Sequence, residues 1–135
     1  MESLLTAREG TFRWLWPVTM AADDGTLRRR NPVSDCPLTA TLAAVGGKWK
    51  LIIIYWLAQE PRHFAGLRRL MPAISQKVLT EQLRELIADG LVDRAASGEP
   101  PAPVIYSLTD YGRSALSIAE TVRLWGRGHI ERFGA

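Results

Sequence analysis

The sequence predicts a mostly helical α+β fold: a run of short helices, a β-hairpin, and a closing helix. Three observations predict it. Apolar residues recur at helical spacing between Pro37 and Asp89. Two short extended runs flank a Pro/Gly-rich tip between residues 91 and 108. Helix start and stop residues stand at the joints between these segments. The chain's 135 residues, 47% of them hydrophobic and 23% charged, suit one domain with a flexible arm and exclude disorder over most of the length.

The helices follow in order. Ser34-Asp35-Cys36-Pro37 reads as a helix entry, with polar capping candidates and then a proline where its missing N–H is harmless. Helix one spans about Pro37 to Val45, sets Leu38, Leu42 and Val45 on one face, and stops at Gly46-Gly47. Helix two, about Trp49 to Gln59, is apolar almost all round and belongs at the centre of the core; Pro61 ends it. Its run from Leu51 to Ala58 falls far short of the roughly 18 residues of a membrane span. Helix three, about Phe64 to Leu70, carries Phe64, Leu67 and Leu70 three apart, and residues 71–74 form a turn.

Helix four, about Ser75 to Asp89, is strongly two-faced. At about 100° per residue, Leu79, Leu83, Leu86 and Ile87 converge on one side, while Lys77, Thr80, Glu81, Arg84 and Glu85 face the other. Gly90 is its expected stop. Leu91 to Ala95 and Val104 to Leu108 read as a hairpin around a breaker-rich tip. Thr109-Asp110 then caps a last helix, about Tyr111 to Leu124, which continues brokenly past Gly126 and Gly128 to Phe133.

Residues 1–33 read as a flexible N-terminal arm: Gly10, Pro17 and Gly25 break it, and periodicity is weak. Residues 1–19 are expected to be an over-called start or an added segment, since Met20 opens a natural-looking beginning. Trp14 and Trp16 are expected to dock on a partner subunit, and Arg28-Arg29-Arg30 to be a solvated charge cluster rather than a minor-groove arm. Residues 34–135 form the expected DNA-binding and dimerisation domain.

A short helix, a turn, a polar-faced helix and a hairpin in this order are what a winged helix-turn-helix requires. The polar-faced helix enters a major groove and the hairpin reaches flanking DNA. Several linked motifs sharpen the reading: Cys36-Pro37, Gly46-Gly47-Lys48-Trp49-Lys50-Leu51, Phe64-x-x-Leu67-Arg68-Arg69, Ile74 to Thr80, Leu83 to Leu86, Gly90-Leu91-Val92, and Tyr106 to Gly112. Together, over about Asp35 to Trp125, they resemble the HxlR family of MarR-like, winged-helix bacterial transcriptional regulators. The resemblance implies a homodimer built through its first and last helices that binds inverted-repeat operators, more often as a repressor than an activator. It also implies a cysteine near helix one that in some members senses oxidants or electrophiles.

Candidate DNA-binding residues follow. Ser75 caps helix four or meets a phosphate; Gln76, Lys77 and Thr80 face base edges, and Arg84 a phosphate. The alternative is a solvated face on which Glu81 and Glu85 merely tune charge. Lys48, Lys50, Arg68 and Arg69 are candidate phosphate clamps, at least half of which are expected to be ordinary surface charges. The hairpin tip, acidic at Glu99 and proline-rich, suits phosphates poorly. His63 stands where the family usually has a basic residue. Gly66 replaces a helix former, at a cost of about 1 kcal/mol if exposed.

Cys36 is the redox candidate, favoured as thiolate at a helix start and opposed by neighbouring Asp35; the bland alternative is a cap filler. As the only cysteine it can form only an intermolecular disulfide, and such cysteine usage suits a reducing cytoplasm. A small-molecule effector is a second candidate modulator. Trp49, Trp56 and Trp125 are expected in core or interface packing.

The net charge of +3 is compatible with DNA as a partner. One cysteine and two histidines argue against a zinc site. No phosphate loop, metal-spaced cluster or nucleophile–base pair is recognisable, so neither an enzyme nor a cofactor is expected. The competing class is a ligand- or protein-binding module that has kept the fold and lost operator binding.

Overall fold

Pro37 stands in the first turn of helix α1 (Pro37–Val45), and Cys36 takes the N-cap position before it. The computed structural model describes residues 36–96, 99 and 103–134. The expectations for the arm, for Ser34 and Asp35, and for the rest of the hairpin tip lie outside these residues. Helix α1 buries Val45 in the core and packs Ala44 against it, whereas Leu38 and Leu42, which share a face with Val45, are 65% and 60% exposed. The chain then turns through Gly47, whose φ of 91° lies in the left-handed region that favours glycine.

Helix α2 (Lys50–Gln59) is the centre of the core, with Ile53, Ile54 and Leu57 buried. Around it pack Leu67 of α3 (Phe64–Leu70) and Leu79, Leu83 and Leu86 of α4 (Gln76–Ala88). Met71 and Ile74 are buried within the α3–α4 turn, where the Ile74 N–H donates to the Met71 carbonyl at 3.0 Å. These two apolar anchors fix the angle between the helices.

Helix α4 ends in a Schellman arrangement. The Leu91 N–H reaches the Leu86 carbonyl at 2.9 Å and the Gly90 N–H the Ile87 carbonyl at 3.0 Å, with Gly90 at φ 81°. Strand β2 (Val92–Ala96) pairs antiparallel with β3 (Val104–Leu108), from Val92 opposite Leu108 to Ala96 opposite Val104. A third strand, the two-residue β1 (Arg62–His63), pairs with β3 and gives the order β1-β3-β2. The wing expected as a two-stranded hairpin is therefore anchored by a third strand.

The last helical region breaks at residues 114–115 rather than at its glycines. A short α5 (Asp110–Arg113) is followed by α6 (Leu116–Phe133), unbroken through Gly126 and Gly128. Each glycine costs about 1 kcal/mol against alanine, too little to stop a helix by itself. The first half of α6 packs on α2 with Ala119 buried, whereas residues 121–125 and 127–133 are exposed. Of the three tryptophans expected in core or interface packing, Trp49 and Trp56 are half-buried against the core, whereas Trp125 is 70% exposed and lies outside it. No single helix among the described residues is long and apolar enough to cross a membrane.

Candidate nucleic-acid interface

Helix α4 has one face in the core and the other in solvent, the direct outcome of its leucine spacing. Gln76, Lys77, Thr80, Glu81 and Arg84 are all exposed and line a shallow surface concavity. The Ser75 hydroxyl accepts from the Val78 N–H at 3.1 Å, so Ser75 is the N-cap, with its own proton left to donate outward. The Thr80 hydroxyl donates back to the Gln76 carbonyl at 2.9 Å. That engages its proton and leaves the oxygen lone pairs and the methyl for any contact.

Lys50 and Glu85 correct the sequence reading. Lys50, expected as an exposed phosphate clamp, is 5% exposed, and its Nζ lies 2.7 Å from Glu85 Oε1. An ammonium so placed cannot reach a phosphate. Glu85, expected on the solvated face, is half-buried and turned toward α2. Of the two acids on the polar side of α4, only Glu81 stays on the exposed face. The sequence carries the signal for this pair only as charge opposition, since Lys50 and Glu85 lie 35 positions apart.

The remaining basic candidates are exposed. Lys48 stands before α2 with its Nζ 4.9 Å from the Trp49 ring centroid. Arg68 and Arg69 occupy the last turn of α3 and border a cleft with Phe64, Ala65, Pro72 and Gln76. The structure thus brings the end of α3 and the start of α4 to one cleft.

Several contributors are not evident from sequence spacing. Arg62 donates from Nε to the Trp56 carbonyl at 3.1 Å, pairs with Glu60 at 3.2 Å and lies over the Trp56 ring, closing the C-terminal end of α2. His63 donates from Nδ1 to the Val104 carbonyl at 2.9 Å; a carbonyl only accepts, so that nitrogen carries the proton. His63 therefore fastens the wing base. Arg94 stands exposed on the wing stem.

Cys36 is exposed at the start of α1. The Thr39 hydroxyl, and then the amides of Thr39 and Leu38, hold the thiol below its usual range. Leu38 and Leu42 lie on the same helix, and Val122, Trp125, Ile130 and Phe133 protrude from α6. Among the described residues nothing covers these side chains. Trp125, His129 and Phe133 form a ladder one turn apart, with centroids 5.0 and 5.1 Å from one to the next.

Residues 44–133 match the family model for HxlR-like helix-turn-helix proteins. YtcD of Bacillus subtilis strain 168, an uncharacterised helix-turn-helix-type transcriptional regulator, is 46% identical over 93 residues, 69% of this chain and 74% of that one. The solved structure of the redox regulator HypR in its oxidised form is 43% identical, with a TM-score of 0.66 over 69% of this chain and 96% of that one. The diamide-treated form of YodB from B. subtilis is 31% identical, with a TM-score of 0.59 over 74% and 96%. The fold shared with these regulators is the winged helix-turn-helix.

Proposed function

The chain belongs to the HxlR-like helix-turn-helix family of transcriptional regulators, and from that premise we propose that it is a homodimer binding an inverted-repeat operator through α4. The observation that carries this reading is the uncovered outer face of α4, where Gln76, Lys77, Thr80 and Arg84 stand exposed opposite the buried leucines. Gln76 and Lys77 offer donors to base edges in the major groove, and the Thr80 methyl offers contact to thymine. Ser75, Arg84, Lys48, Arg68 and Arg69 supply phosphate contacts that fix the docking register. Withdrawal of the Glu85 charge onto Lys50 removes one source of repulsion from that face.

Dimerisation through α1 and α6 is supported by the exposed Leu38, Leu42, Val122 and Trp125, large apolar side chains of the kind that interface cores bury. Residues 34–135 are the unit that carries both activities. Regulation is by repression, relieved through thiol chemistry at Cys36. An oxidant such as diamide takes two electrons and two protons from two Cys36 thiols and leaves an intersubunit disulfide. The exposure and lowered pKa of Cys36, and the likeness to the redox regulator HypR, support this over a small-ligand effector.

Selection from randomised duplex DNA at moderate salt tests the proposal, with Lys77→Ala and Arg84→Ala as controls. The wild-type protein enriches a palindrome whose half-sites lie about one helical turn apart, and both variants bind it more weakly. Enrichment of no palindrome would overturn the reading.

A further inference from the structure

Glu81 is a carboxylate on the face that the regulator reading turns toward a polyanion, and the structure gives it no internal task. It is exposed, and although Lys77 and Arg84 lie one turn before and after it, neither forms an ion pair with it among the described residues. Glu85, four residues on, shows the alternative, its charge drawn inward by Lys50. A carboxylate left in the concavity with Gln76, Lys77, Thr80 and Arg84 is repelled by phosphates unless it meets a donor.

An ionised carboxylate only accepts hydrogen bonds. In the major groove the amine donors are cytosine N4 and adenine N6, and adenine sets its N7 acceptor beside the amine, where it repels a carboxylate. Cytosine offers the amine without that neighbour. We infer that Glu81 is a specificity-determining residue that accepts a hydrogen bond from the N4 amine of a cytosine in each operator half-site. The inference rests on the proposed operator binding and names one base that α4 demands.

The test is parallel selection of half-sites from randomised duplexes by the wild-type protein, Glu81→Ala and Glu81→Gln at one salt concentration. Glu81 is exposed, so both substitutions leave the core intact. The wild-type motif holds cytosine at one position per half-site, where another base lowers affinity about tenfold. Glu81→Ala loses the preference there and nowhere else. Glu81→Gln shifts it toward adenine, whose N7 and N6 match an amide's donor and acceptor. Identical motifs from all three proteins, or a loss of affinity spread evenly over every position, overturn the assignment alone. Failure of the wild-type protein to enrich any duplex overturns the regulator reading, and this assignment with it.

Discussion

The Lys50 ammonium sits 2.7 Å from the Glu85 carboxylate and joins the central helix of the core to the helix that faces solvent with its polar side. Lys50 is buried and Glu85 only half so, which makes the two ends unequal. Lys50→Met leaves a carboxylate that can still find water. The expected loss is about 2 kcal/mol, below that of a fully buried pair broken from one side, and urea denaturation measures it. Glu85→Gln leaves the ammonium buried with a neutral partner and is expected to cost at least as much.

The same pair separates two kinds of cation in a salt titration. Arg68→Ala and Arg69→Ala should each reduce the slope of log affinity against log salt by about one unit, as loss of a phosphate contact does. Lys50→Met should leave the slope unchanged even where affinity falls. Fluorescence anisotropy on the selected duplex gives all three slopes.

Cys36 should ionise below the range of an ordinary thiol, because the Thr39 hydroxyl and then the first-turn amides favour its thiolate. Alkylation by iodoacetamide, followed against pH, is expected to reach half its maximal rate at a lower pH than a cysteine peptide does. Thr39→Val should move that midpoint upward. Since the folded state favours the deprotonated thiol, any coupling to stability is present above the unfolded thiol's pKa and fades as pH falls through the folded value.

Two glycines should respond in opposite directions. A Cβ on Gly112 would lie 2.0 Å from the Leu91 carbonyl oxygen, which is backbone and cannot step aside. Gly112→Ala is expected to destabilise by about 3 kcal/mol. Gly128 has open space around it within a helix, so Gly128→Ala should stabilise by up to about 1 kcal/mol. Thermal unfolding followed by circular dichroism measures both.

Leu42→Glu places a charge on the uncovered face of α1. If that face meets a second copy, light scattering should show the mass halve while the far-ultraviolet spectrum stays unchanged. A mass that does not change would remove α1 from the subunit interface.

The sequence is most legible where apolar spacing is strong. Leu79, Leu83 and Leu86 define the buried side of α4 by periodicity alone, and Pro37, Ser75 and Gly90 mark helix ends by local chemistry that needs no tertiary partner. The reading fails where partners are distant. Arg62 and His63 form a strand only because Tyr106 and Ile105 lie beside them, and two residues carry no pattern of their own. Lys50 looks like a surface charge until Glu85 is brought to it. Leu38 and Leu42 mark a different limit: their spacing identifies an apolar face correctly, but spacing does not say whether the same domain covers it.

The Thr109 hydroxyl gives its proton to the Gly90 carbonyl at 2.6 Å and accepts from the Gly112 N–H at 2.8 Å, while the Thr109 N–H reaches the Leu91 carbonyl at 3.1 Å. One side chain thereby rivets the tail of α4 to the root of the C-terminal helices. A tilt imposed on the root would swing α4 through the same arc instead of being absorbed on the way. In a paired assembly, the gap between the two α4 helices would then be adjusted by pivoting each subunit whole, like the jaws of a caliper.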